Sequence, residues 1–142
     1  MRALLDVNVL IALLDAGHVH HRIAMEWLGA NIGEGWASCP LTQNGCIRVM
    51  SQPAYPNTRP PAAIAARLRE ATSTPAHEFW ADDISLLDES LFDWRELLQP
   101  RQLSDAYLLA LAMRRGGVFV SFDHALPVAA LGKSAAQHAI LL

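Results

Sequence analysis

Asp6 stands inside the apolar run Leu4-Leu5-Asp6-Val7-Asn8-Val9-Leu10-Ile11. A carboxylate in such surroundings is costly unless it is paired, hydrogen-bonded or neutralised by a cation. Two further acids have comparable neighbours: Asp105, in Leu103-Ser104-Asp105-Ala106-Tyr107-Leu108-Leu109, and Asp123, directly after Val118-Phe119-Val120-Ser121-Phe122. Three carboxylates brought within a few ångströms repel and raise one another's pKa unless a hard cation binds them. Oxygen-only ligands of this kind suit Mg²⁺ or Mn²⁺, with water completing the octahedron. Such an ion keeps positions open for a phosphate oxygen and an activated water, which is the chemistry of phosphodiester hydrolysis. The structural alternative is that Asp6 or Asn8 merely caps the helix that follows.

The chain supplies elements that can bring these acids together. Residues 3–5 read as a short buried strand and 8–14 as the start of a helix, so Asp6 lies at the strand's carboxyl end, the edge where open α/β sheets bind ligands. Ile23, Ala24, Trp27 and Leu28 fit one face of a helix ending near Gly33, and residues 36–39 read as a second strand stopped by Pro40. Residues 41–50 form the next helix, with Thr42 able to cap it and Gln43 projecting from its first turn. Four prolines make 51–61 an irregular loop before an amphipathic helix over 61–71, and residues 77–81 read as an exposed third strand. A helical segment is expected from Ile84 onward, with Phe92, Trp94, Leu97 and Leu98 as its core-facing stripe. The strongest helix covers 103–117, capped by Ser104 with Asp105 in its first turn, and a strand over 118–122 runs into Asp123. A short helix over 125–131 and a last strand over 139–142 complete the chain. This alternation predicts a parallel sheet covered on both faces, and right-handed crossovers place the carboxyl ends of its strands on one edge. Asp6, Asp105, Asp123 and Gln43 can therefore converge.

Other chemistry-bearing residues carry less. His18, His20 and His21 read as a solvated helix entrance rather than a zinc site, because adjacent helical residues point in different directions. Asp82 and Asp83 read as solvated or dipole-favouring acids. Without a basic, apolar leader at the N-terminus, Cys39 and Cys46 are expected to be reduced structural thiols in a cytoplasmic protein. With 11 basic and 14 acidic side chains the net charge is −3, which excludes nucleic-acid binding through bulk charge and leaves only local contacts. Arg48, Arg95, Arg101, Arg114 and Arg115 are candidates for holding an RNA backbone, with solvated helix surface as the alternative for most of them. No apolar run reaches membrane-spanning length. The length of 142 residues fits one domain, and the 52% hydrophobic content points to buried strands and a partner-covered or self-associating surface.

Five segments resemble, in order, the PIN-domain ribonucleases, and specifically the VapC-like toxins of bacterial toxin–antitoxin pairs. They are residues 5–11, the helix from His20-His21 to Trp27, Cys39-Pro40-Leu41-Thr42-Gln43-Asn44-Gly45 with Arg48, Ser104-Asp105-Ala106-Tyr107-Leu108-Leu109-Ala110, and Ser121-Phe122-Asp123. The resemblance implies a single PIN domain over 1–142 with a three-layer α/β/α architecture around a mostly parallel five-stranded sheet. It also implies a Mg²⁺- or Mn²⁺-dependent endoribonuclease, a homodimer, and inhibition by a small cognate antitoxin. Carried over by position, Asp6, Asp105 and Asp123 are metal-binding catalytic acids and Asn8 and Ser121 support the site. Gln43 occupies a position where the family usually has Glu, and it offers a neutral carbonyl oxygen in place of a charge.

Two competing readings follow from the same residues. Gln43 motivates a catalytically weakened or inactive PIN-like module that binds RNA or an antitoxin, against which the three retained acids argue. A phosphatase with Asp6 as covalent nucleophile would need a second acid two residues on, where this chain has Asn8, and a mid-chain lysine, whereas its sole lysine is Lys133.

Overall fold

Strand β1 (Ala3–Leu5) is three residues long and wholly buried, and the rest of the chain is arranged on either side of it. The computed structural model describes all 142 residues, Met1–Leu142. The other strands are β2 (Trp36–Ser38), β3 (His77–Phe79), β4 (Val118–Ser121) and β5 (Ala139–Leu141). They form one sheet in the order β3-β2-β1-β4-β5, and every pairing is parallel. The expectation of a mostly parallel sheet is thus met by a wholly parallel one. Helices α1 (Val7–Leu14), α2 (His21–Asn31), α3 (Pro40–Met50), α4 (Pro61–Thr72) and α5 (Gln102–Arg114) connect the strands.

The pleat of β1 sorts the interior into two cores. Leu4 packs with Phe119, Trp80 and the α5 residues Leu108, Leu109 and Leu111 on one face of the sheet. Ala3 and Leu5 point the other way, into Val9, Leu10, Cys46, Ile64, Leu68 and Val120. Alternate residues of one strand thus bind two helical layers, which is the three-layer arrangement that parallel sheets require. Cys39 and Cys46 are buried and free, and burial pushes their thiols up to about 11 and about 12, as expected of inert structural cysteines. No helix is long and apolar enough to cross a membrane.

Three expectations need correction. The segment from Ile84 to Leu98 contains no helix. Its Ser and Asp side chains bond backbone amides two residues on, Ser85 Oγ to Leu87, Asp88 Oδ1 to Ser90 and Asp93 Oδ1 to Arg95, and these local turns displace the helical ladder. Phe92 and Leu97 still reach the core, but Trp94 is 43% exposed and Leu98 76% exposed, so the expected stripe breaks up. Residues 125–131 give only a 3₁₀ turn, Val128–Leu131. Ser104 lies inside α5 and does not cap it; Gln102 Oε1 instead accepts from the amides of Leu98 and Gln99, fixing the turn that leads into the helix. Asp105 remains in the first turn.

Around α3 the sequence cues are used differently from expectation. Pro40 opens the helix where its missing N–H is harmless, and Thr42 Oγ1 accepts from the Cys39 amide one turn back. Asp82 Oδ2 accepts from the Leu41 amide, so one of the two adjacent acids is a cap supplied from a distant loop. Gly45 lets α3 meet α1, since a Cβ there would lie 2.6 Å from Val7 Cγ2. Gly45→Ala should therefore destabilise the protein by roughly 1–3 kcal/mol, overpacking outweighing the better helix propensity of Ala. Gly29→Ala in α2, where nothing lies within 4 Å, should stabilise it by up to ~1 kcal/mol. Urea unfolding midpoints of the two variants, at unchanged m, check the opposite signs.

Candidate active site

Asp6 follows β1 directly and is the N-cap of α1, in extended conformation, with Oδ1 accepting from the Val7 amide at 2.7 Å. The capping reading of this acid is therefore correct, but it uses only one carboxylate oxygen. The other, Oδ2, accepts from Ser121 Oγ at 2.6 Å. Ser121 ends β4, the strand beside β1, and is completely buried. Its hydroxyl also accepts from Asn8 Nδ2 at 3.3 Å and from the Asp123 amide at 2.9 Å. One donor proton and two acceptor lone pairs are all a hydroxyl has, so Ser121 is fully used in tying β4 to the start of α1. Asn8 Oδ1 completes the tie by accepting from the Phe122 amide at 3.4 Å. Asn8 and Ser121, both assigned supporting roles from the sequence, hold Asp6 and the Asp123 backbone on one side of the sheet edge.

Asp105 reaches the same edge from the first turn of α5. Burial pushes its carboxyl up to about 7, and the charges of Asp6 and then Asp123 add to the shift. Asp6, only 8% exposed, is raised as well, chiefly by burial and in part by Asp123, against the lowering pull of Ser121 and Val7. The three acids thus sense one another, as residues so far apart in sequence can only do through the fold. They do not close into a ready-made cage of three ligands: Asp123 is exposed, and its Oδ1 is occupied by the Ala125 amide at 2.9 Å.

Gln43 projects from α3 close to where β2 ends, but its amide is engaged locally. Nε2 donates to Ser38 Oγ at 3.0 Å, and that hydroxyl lies 2.8 Å from His77 Nε2. No hydrogen bond joins Gln43 to the acids. Ser38 and His77 escaped the sequence reading because three-residue strands show no periodicity and their contact depends on the β2–β3 register. Arg48 lies exposed on α3 and Arg101 is exposed just ahead of α5; neither touches an acid of the site. Arg95 and Arg115 are engaged with Asp93 and Asp83 at 2.9 and 3.1 Å. The histidines form no metal cluster: His21 bonds the Ala12 carbonyl, His18 accepts from the His20 amide, and His20 stacks on Phe122 at 4.6 Å. A cavity of about 740 Å³ opens at the far end of α1, among Leu14, Asp15, Met50, Ile64 and Arg67. Asp6, Asp105 and Asp123 do not line it, so its size does not mark the chemistry.

The donor set at the acidic edge consists of oxygens alone, carries crowded negative charge, and includes Asp105, whose carboxyl is pushed up to about 7 by burial and then by the neighbouring acids. These residues fit a hard divalent cation. The PIN domain family model matches residues 3–131. Ribonuclease VapC44 of Mycobacterium tuberculosis is 49% identical over 138 residues, 97% of each chain. Among solved structures, the M. tuberculosis VapC20 toxin, described as cleaving the sarcin-ricin loop, superposes with a TM-score of 0.62 at 17% identity over 92% of this chain and 96% of that one. VapBC2 from Rickettsia felis, bound to a DNA fragment from their promoter, gives 0.58 at 11% identity over 87% and 89%. At such identities the two structures speak for the fold alone. The family-model match and the full-length relative go further: the chain belongs to the PIN-domain family, among its VapC-like members.

Proposed function

We propose that this chain is a divalent-metal-dependent endoribonuclease and the toxin of a toxin–antitoxin pair. The observation that carries the proposal is the joining of Asp6, Ser121 and Asp123 at the sheet edge, with Asp105 raised to about 7 beside them. The name of the full-length relative, a ribonuclease, supports RNA as the substrate. The VapBC2 assembly supports an antitoxin partner. The same reading takes the protein as a homodimer of single-domain subunits in the cytoplasm.

In this reading Asp6 and Asp105 would hold Mg²⁺ or Mn²⁺. The bound ion would supply polarisation of a phosphate oxygen and a water of lowered pKa. Ser121 and the Val7 amide fix the Asp6 carboxylate, so that it does not reorganise when charge develops. Asp123, anchored through Oδ1, keeps its second oxygen to orient the attacking water and take its proton. Exposed Arg48 and Arg101 are the candidates to steer the RNA backbone. A second reading, a weakened or inactive module that binds RNA or antitoxin without cutting, is favoured by the uncharged Gln43 and its engagement with Ser38.

Cleavage of a structured RNA pool with Mg²⁺, Mn²⁺ or EDTA separates the two. The chain should cut with metal and not with EDTA, and Asp6→Asn should lose on the order of 100-fold or more, equivalent to ~2.7 kcal/mol of transition-state stabilisation. Gln43→Glu should cut faster by restoring a charge. Activity only in Gln43→Glu would favour the weakened-module reading, and metal-independent cutting would exclude the proposed site.

The same acids set a pH dependence for the metal-free protein. Asp105 moves from the ordinary carboxylate value of 3.8 to about 7 on folding, so the native state binds more protons than the unfolded state between those limits. Stability must then fall as pH rises through that window. Urea unfolding in EDTA should give a lower midpoint at pH 8 than at pH 5.5, and Asp105→Asn should flatten the difference. An unchanged slope in that variant would contradict the assignment.

A further inference from the structure

A shallow cavity of about 280 Å³ is lined by Leu41, Asp82, Leu86, Leu103, Ser104 and Tyr107. Topology fixes its place. Leu41 lies in the first turn of α3, which follows β2, and Asp82 comes three residues after β3 ends. Leu103, Ser104 and Tyr107 belong to the first two turns of α5. Helices of a parallel sheet start at the edge where its strands end, so these pieces meet at the edge that carries Asp6 and Asp123. Ser104 and Asp105 are consecutive residues, with Cα atoms about 3.8 Å apart. The cavity and the acidic site therefore share the opening of one helix.

The lining offers three leucines and one aromatic ring, with oxygen only on Asp82, Ser104 and Tyr107 among its side chains. Its size and shallow form suit a single flat ring system, held against apolar side chains and an aromatic wall as proteins hold an unstacked base. Asp82 is fixed in position, because Oδ2 accepts from the Leu41 amide at 3.0 Å. A carboxylate has more lone pairs than that one bond uses, so Asp82 can still accept from a ligand. The adjacent Asp83 is paired with Arg115 at 3.1 Å, which leaves Asp82 as the free charge at the rim. A carboxylate only accepts, and that discriminates among bases. Guanine alone presents two adjacent donors on its Watson–Crick edge, N1–H and the N2 amino group. Uracil flanks its one N–H with carbonyl oxygens, and adenine and cytosine set a bare ring nitrogen beside their amino group.

We propose that this cavity is a subsite for one unstacked guanine next to the scissile phosphate, with Tyr107 as its aromatic wall and Asp82 accepting from N1–H and N2. The place of that guanine beside a cut rests on the nuclease reading above; its binding in the cavity does not.

Two arms test this on the full chain. The first needs no cutting and uses methyl NMR in an Asp6→Asn background. A short single-stranded RNA with one guanine among uracils should shift the methyl signals of Leu41, Leu86 and Leu103. Inosine in place of guanine removes only the N2 amino group, and should weaken binding roughly tenfold. Adding Asp82→Asn keeps a side-chain acceptor for the Leu41 amide but removes the charge, and should bring the guanine and inosine RNAs within threefold of each other. Equal binding of the two RNAs without Asp82→Asn, or shifts confined to other residues, overturns the subsite. So do leucine signals that move with protein concentration and not with RNA, since the face then joins two copies of the chain. The second arm is cutting of a random-sequence RNA, read by sequencing the new ends. Guanine should be enriched at one fixed position beside the cut, and Asp82→Asn should lower that enrichment at least threefold. No enrichment, or the same enrichment in Asp82→Asn, overturns the placement beside the cut. If no variant cuts RNA, the nuclease reading fails and the binding arm alone decides the guanine site.

Discussion

The structure depends on holding mutually repelling carboxylates at one edge of a sheet. Asp6 is almost wholly buried, and the charges of Asp105 and Asp123 act on the same small region. Left alone, such a cluster would push its members apart or neutralise them with protons. The chain resists the first outcome with Ser121, whose hydroxyl spends every hydrogen-bonding capacity on Asp6, Asn8 and the Asp123 amide. It accepts the second in part, through the raised carboxyl of Asp105. What remains is a stored electrostatic demand that a divalent cation would relieve.

The fold makes this demand bearable by placing it where backbone is already committed. β1 and β4 pair in register, so their ends lie side by side, and the helices that follow or precede them start at the same edge. The free amides at the start of α1 supply the Val7 bond to Asp6 without any further residue. The apolar layers on both faces, with Leu4 on one side and Leu5 on the other, keep β1 rigid beneath the acids. Gly45 in turn allows α3 to close on α1, bringing the Gln43 helix alongside.

How much of this was legible in the sequence follows from what each signal depends on. Asp6, Asp105 and Asp123 stood out because a charge in an apolar run is anomalous before any tertiary contact is known. The parallel sheet was legible from alternation alone. The segment after Trp80 misled because apolar spacing from Ile84 to Leu98 imitates a helix, whereas the Ser and Asp side chains between those residues close local turns instead. Ser38 and His77 were invisible for a different reason: their meeting with Gln43 is made by strand register, and nothing local in a three-residue strand announces its partner. The Asp82 cap on α3 is the same kind of fact, a bond between a loop and a helix far apart in sequence.

The proposed cation site at the acidic edge, formed by Asp6, Asp105 and Asp123, can be tested by crystallography. Crystals grown with Mn²⁺ and measured at a wavelength where manganese scatters anomalously should show a single strong peak beside the Asp6 and Asp105 carboxylates, with Asp123 facing it directly or through water. A peak elsewhere, or none at Mn²⁺ concentrations that support RNA cutting, would show that these acids do not form the site.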